Sequence, residues 1–298
     1  LTVKLSILAL AFCSIAGFAI ADDLQDSYTK LKEAVEKKDP AATKAAVAAT
    51  LKLAKAAQTA AKPTDADEVE HWKQMQDYGK EVEGYTEYAL GFVAEQQGVE
   101  PAITIDLVDT LIAQNPKSKY LDDLSVNAYL VALGKNGKAA QMAGMTKVIK
   151  GRPENTVALQ ALIEGGQSQY AERLVAAMKA KTKPEGFSEA EWEKQRNSAL
   201  ATGYFTAGYV ALQKQVWVDC DRNMKAATPL LASDPNRLGI AYYGLGVCNF
   251  NLGKMTSDKT KMQAGVKYVE QSAGIKSSVQ ANAAHDLTIM KQAVGGGR

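Results

Sequence analysis

Beyond residue 22 the polar and apolar positions fall into helical runs punctuated by Gly and Pro. No alternating run of β-branched residues interrupts them, so strands are not expected. Residues 23–38 read as a charged helix ending at Asp39-Pro40. Residues 41–61 are rich in Ala, with Lys44, Lys52 and Lys55 spaced among weak apolar anchors (Val47, Leu51, Leu53), and stop at Lys62-Pro63. Together, residues 22–63 predict an antiparallel helical hairpin. Its lysines are distributed around the helix, so it lacks the apolar face of a membrane-active helix and reads as a solvated N-terminal cap.

After a polar stretch at 64–68 the rhythm becomes one of helix pairs. The first spans about 69–114, turning at Gln97-Gly98 and ending at Asn115-Pro116. The second turns at Asn136-Gly137 and ends at Arg152-Pro153. The third turns at Gly165-Gly166 and ends at Lys183-Pro184. The fourth covers about 188–233 and stops at Asp234-Pro235. The fifth begins near Leu238, turns at Leu252-Gly253 and carries a polar insert over 255–261. A last helix over 277–294 closes the series before a flexible tail. Recurrent helix–turn–helix units of this size predict an all-α solenoid: an array over 64–276 of about five irregular units, with 277–298 as cap and tail.

The first 21 residues form a separate object. Lys4 precedes an apolar stretch over 5–18, and Ala19-Ile20-Ala21 is an A-x-A cleavage signal ahead of Asp22-Asp23. The expectation is a secretory signal peptide cleaved after Ala21, its apolar part being short for a membrane span. A lipoprotein signal around Leu10-Ala11-Phe12-Cys13 is the rival, disfavoured by bulky Phe12 beside the cysteine. Leu1 reads as a non-ATG start codon translated literally, or as a trimmed Met. The predicted destination is the periplasm or the exterior, with no stable membrane insertion after cleavage.

Composition sharpens this picture in two ways. Hydrophobic residues make up 46% and charged residues 23%, which fits a folded chain, and abundant Ala favours helix. The formal charge is +2 and no long basic run occurs, so nucleic acid lacks the clustered electrostatic footprint it requires. Past the leader, Cys220 and Cys248 remain. They form either a disulfide, allowed in an oxidising compartment, or two small buried hydrophobes on adjacent helices.

Within the fifth unit, Tyr242-x-x-Leu245-Gly246-x-x-Asn249, Leu252-Gly253 and Gly265-x-x-x-Val269 resemble the tetratricopeptide consensus W-x-x-L-G-x-x-Y followed by A-x-x-x-F. Leu90-Gly91-x-x-Ala94 and Tyr204-x-x-Ala207-Gly208-x-x-Ala211 repeat parts of it. Small residues at these places let the two helices of a hairpin approach closely. The stretches NPKSKY, KPEGFSEAEWEK and AATPLL…YYGLGVCNFNLGK resemble a group of exported tetratricopeptide proteins from acidobacteria. The resemblance implies a right-handed superhelix of stacked helix pairs and brings no activity with it.

Candidate chemistry is sparse. His71 and His285 each lack a second ligand at metal spacing, and H-E-x-x-H, G-x-S-x-G, Walker and dinucleotide glycine motifs are missing. Asp219-Cys220-Asp221-Arg222-Asn223 imitates the start of a calcium loop. Met224 stands at its glycine position, however, and Leu230 at its closing Glu. Gly244-Leu245-Gly246 follows no strand and reads as a packing feature. No catalytic residue, metal or cofactor is therefore expected, although an unrecognised hydrolase using two carboxylates brought together by the fold stays open.

The informative feature is aromatic. In tetratricopeptide arrays the first helix of each pair lines the concave surface. That register assigns Tyr85, Tyr88 and Phe92 to a groove, with Thr202, Phe205, Tyr209, Leu212 and Gln213, and Ile240, Tyr243, Val247, Phe250 and Asn251. Seven of these thirteen are Phe or Tyr, in a chain with only 12 Tyr and 6 Phe. Such a stripe either anchors a peptide or protein partner or packs against neighbouring helices and the C-terminal cap. Two partner classes follow: a protein or peptide held in the groove, or a second copy of the chain stacked end to end. The Lys/Asn clamp that some tetratricopeptide domains use for a peptide's terminal carboxylate is not visible.

Overall fold

Pro and Asp set most of the helix boundaries. At Asp39-Pro40 and Asp234-Pro235 the dipeptide that stops one helix also starts the next. The Asp carboxylate accepts a backbone N–H of the following turn, from Ala42 (3.0 Å) and Arg237 (3.0 Å), while Pro takes the first helical position, where no N–H is needed. Ser188 and Glu191 close a reciprocal capping box at another helix start.

The computed structural model describes residues 15–295, with side chains from residue 21. Residues 1–14 and the side chains of 15–20 lie outside the described residues, and with them most of the expected leader, including Lys4 and Cys13. Among the described residues every element is helical and none is a strand. No helix there is long and apolar enough to cross a membrane.

The chain divides into two compact units, residues 1–137 and 138–298. The first holds α1 (Ile15–Glu36), α2 (Pro40–Thr59), α3 (Ala66–Ala94), α4 (Pro101–Gln114) and α5 (Asp123–Gly134). The second holds α6 (Lys138–Gly151), α7 (Thr156–Glu164), α8 (Ala171–Ala180), α9 (Glu189–Gln213), α10 (Trp217–Ala227), α11 (Pro235–Thr256), α12 (Lys259–Ala273) and α13 (Gln280–Gly295). The boundary falls at the Asn136-Gly137 turn, inside what the sequence reads as the second helix pair.

Within each unit the packing follows chain order. Every helix packs on the next, and several also touch the next but one: α1 with α3, α2 with α4 and α3 with α5 in the first unit; α7 with α9, α9 with α11 and α11 with α13 in the second. No two described helices of one unit that lie further apart in order meet. Leu24, Tyr28, Ala54, Ala57, Met75 and Val82 form one buried cluster across α1, α2 and α3. In the second unit Cys220, Met224, Ala227, Leu231, Ala241, Leu245 and Cys248 form another, between α10 and α11. Each large apolar side chain sealed in this way stabilises the fold by about 1.5–3 kcal/mol.

One predicted turn is corrected. The chain does not reverse at Leu252-Gly253; α11 continues to Thr256 and turns at Ser257, which caps it in the left-handed conformation (φ 55°). Residues 255–261 are no insert but the end of α11 and the start of α12. Gly253 serves close approach instead of a turn, since a Cβ there would stand 2.7 Å from Asp258 O and Met262 N. Gly246 and Gly265 act in the same hairpin: a Cβ on Gly265 would meet Gly246 O at 2.7 Å and Phe250 N at 2.8 Å.

Candidate partner-binding face

On α3, residues 78, 81, 85, 88, 92 and 95 are spaced three and four apart and so share one side of the helix. They are Tyr78, Glu81, Tyr85, Tyr88, Phe92 and Glu95. Neighbouring elements extend the row of rings. Tyr28 of α1 meets Tyr85 edge-on (centroids 5.0 Å) and Tyr78 at 6.2 Å. Tyr85 meets Tyr88 (5.4 Å), Tyr88 stacks on Phe92 (5.3 Å), and Tyr120, just before α5, meets Tyr88 edge-on (5.5 Å). Six rings thus form one continuous ladder across α1, α3 and the entry to α5, Tyr28 buried and the other five half-buried.

Burial dominates the electrostatics of this face. It pushes the hydroxyls of Tyr28, Tyr78 and Tyr85 up to about 12, with the charges of Glu81 (on Tyr28 and Tyr78) and Glu36 (on Tyr85) adding to it. The phenols therefore stay neutral and available as hydrogen-bond donors. Tyr78 gives its proton to Gln25 Oε1 at 2.6 Å. Lys32 stands over the Tyr28 ring (4.6 Å) and Lys119 over Tyr120 (5.0 Å). At the end of α3 the Glu95 carboxyl is pushed up to about 7, first by burial and then by the Asp122 charge. Glu95 also lines a cleft of about 730 Å³ between the loop after α1 and the loop after α3, with Lys38, Pro40, Gly98 and Ile103.

The sequence assigns Tyr85, Tyr88 and Phe92 to this region, and the structure brings all three into the ladder. It misses Tyr78, Tyr28 and Tyr120. Tyr78 lies seven residues before Tyr85 and is visible from spacing alone; Tyr28 and Tyr120 belong to other elements and carry no such signal.

The remaining expected groove residues lie in the second compact unit. On α9, Phe205 and Tyr209 stack (6.1 Å) and Tyr209 is 40% exposed, whereas Thr202 is buried. Leu212 and Phe205 pack against the Cys220–Leu245 cluster, and Gln213 faces solvent. On α11 the expectation of an open wall is corrected. Phe250 is only 8% exposed, and Tyr243 and Val247 pack with it against Ala283 and Met290 of α13. Tyr243 donates its hydroxyl to Asp286 Oδ2 at 2.6 Å, and burial followed by that carboxylate pushes it up to about 12. Asn251 is turned back onto Val247 O (2.8 Å), and Ile240 is half-buried. This part of the stripe is the seat of the C-terminal helix.

The other candidates resolve simply. Cys220 and Cys248 are joined in a disulfide between α10 and α11, both buried, with Cα atoms 6.3 Å apart. The calcium-loop imitation lies inside α10, where Asp221 accepts from Lys225 (2.7 Å) and Asn249 (2.6 Å). His285 is exposed on α13 and His71 half-buried on α3. Among the described residues, no three His, Cys, Asp or Glu side chains are grouped to hold a metal ion. Compared with protein-family models, with curated proteins and with solved structures, the chain gives no match.

Proposed function

We propose that this chain is an exported, non-catalytic helical-repeat scaffold of tetratricopeptide type that holds a peptide or protein partner against the aromatic face of its first unit. The ladder of six rings from Tyr78 to Tyr120 is the observation that carries this reading. Half-buried tyrosines held rigid by one another lose little side-chain entropy when covered, and each supplies apolar area with a polar tip. Contacts limited to the next and next-but-one helix, and the glycine-lined hairpin of α11 and α12, support the repeat assignment. The A-x-A leader pattern and the Cys220–Cys248 disulfide support export to an oxidising compartment. A second reading, self-assembly of copies of the chain, draws on Leu124 and Val131, which are 56% and 63% exposed on one side of α5.

The test is a peptide-display selection on the full chain, followed by affinity measurement on Tyr85→Ala and Tyr88→Ala. Truncating a central aromatic is expected to weaken selected peptides by roughly ten- to a hundredfold while circular dichroism reports an intact helical fold. Selected peptides that ignore both substitutions would displace the ladder as the site. Concentration-dependent sedimentation abolished by Val131→Lys would favour the self-assembly reading instead.

A further inference from the structure

Charge is distributed unevenly over this near-neutral chain. Lys and Arg number 35 against 33 Asp and Glu overall, yet α3 carries seven carboxylates and two lysines. Two of those carboxylates pair with the lysines, and Glu83 and Glu87 accept from Gln58 and Asn115. Glu81 differs: it lies on the aromatic side of α3, between Tyr78 and Tyr85. Glu95 ends the same row one turn beyond Phe92, and the charge of Glu36, exposed at the end of α1, acts on Tyr85. The carboxylates of Glu36, Glu81 and Glu95 make no hydrogen bond or ion pair among the described residues.

From this arrangement we infer that the partner segment is cationic: an extended stretch of peptide presenting Arg or Lys side chains to the tyrosine ladder. The inference rests on the partner-binding reading given above and adds the chemical class of the partner. Two observations point to a cation. Glu81 and Glu95, without hydrogen bond or ion pair among the described residues, flank Tyr85, Tyr88 and Phe92 on one helix side, so a guanidinium laid on a ring next to either acid also reaches its carboxylate. Two rings of the ladder, the buried Tyr28 and Tyr120 at its far end, already hold ammonium groups of the chain itself, those of Lys32 and Lys119. The cleft beside Glu95 continues the row; Lys38 and Glu100 line it too, and the Glu95 carboxylate there makes no hydrogen bond or ion pair among the described residues. An acidic segment would meet repulsion at Glu36 and Glu81, and at Glu95 once its carboxyl ionises, and a neutral one would leave those carboxylates covered and unpaired.

The experiment uses fluorescein-labelled short peptides alternating Gly with Arg, Gln or Glu, titrated against the full chain by anisotropy at low and moderate salt. The Arg peptide is expected to bind roughly tenfold or more tightly than the other two. Glu81→Gln with Glu95→Gln should remove that preference, and Tyr88→Ala should weaken the Arg peptide. Thermal unfolding of each variant accompanies the titration, and Glu95→Gln relieves a buried charge, so lost binding there is not lost folding. If the Gln or Glu peptide binds as well as the Arg peptide and still depends on Tyr88, the face stands and its cationic preference is overturned. An Arg peptide indifferent to both the Tyr88 and the glutamate substitutions is bound by diffuse charge, which overturns the inference. Indifference of every peptide to Tyr88→Ala overturns the partner-binding face as well.

Discussion

At the residue scale, Glu95 is where the fold works against a charge. Its carboxyl sits at about 7 instead of its usual 4.5, because burial and then Asp122 oppose ionisation. The folded state therefore holds a proton that the unfolded chain releases between those values. That contribution to stability is complete below about 4.5 and is lost as pH rises through 7. Glu95→Gln, which keeps the shape and removes the charge, should raise the melting temperature at pH 8 and leave it nearly unchanged at pH 5. Allowing for the partial exposure of the side chain, the gain at pH 8 is on the order of 1 kcal/mol. Melting curves at the two pH values check it, and an equal shift at both would refute the assignment. Ionised Glu95 thus costs the free protein stability that protonation restores; on the proposal above, a bound cation would offset the same cost.

Among elements, the α11–α12 hairpin shows most clearly what glycine does in this fold. A methyl group on Gly246 would stand 2.9 Å from both Gly265 O and Val269 N, so the helices would have to separate. Gly246→Ala is expected to destabilise by about 1–3 kcal/mol, overpacking outweighing the helical preference of Ala. Gly84 on α3 is the control: nothing lies within 4 Å of its added Cβ, so Gly84→Ala should stabilise by up to about 1 kcal/mol. Chemical denaturation of both variants tests the contrast, and two changes of the same sign would contradict it. This dual use of glycine explains what was legible in the sequence. Asp39-Pro40 and Asp234-Pro235 announce their helix boundaries because cap and first turn are local chemistry. Leu252-Gly253 misleads because the letter that permits a turn also permits close approach, and only the partner helix distinguishes the two. Spacing likewise reveals the aromatic side of α3 and that of α11 equally well. It does not reveal that α13 packs against Tyr243, Val247 and Phe250, or that Tyr78 and Tyr85 pack against the α1–α2 cluster while Tyr88 and Phe92 stay half-buried.

For the whole molecule, the sequence reads as one continuous array, and the chain divides after Gly137 into two compact units. The boundary is invisible in the sequence because Asn136-Gly137 has the same character as the turns at Gln97-Gly98 and Gly165-Gly166, and the helical rhythm passes through it unbroken. The disulfide turns this division into a measurement. Cys220 and Cys248 both lie in the second unit, 28 residues apart. Opening that loop frees the unfolded chain of a constraint equivalent to about 3–4 kcal/mol in the chain-entropy account. Because each described helix packs only on its near neighbours within its unit, the loss should stay local. Hydrogen exchange on the oxidised and reduced protein, or on the Cys220→Ser/Cys248→Ser pair, should show protection falling across α9 to α12 and unchanged across α1 to α4. Equal loss in both units would mean that the chain unfolds as a single cooperative block; confinement to the second unit would mean that the tyrosine face of the first keeps its stability whatever the redox state of its surroundings.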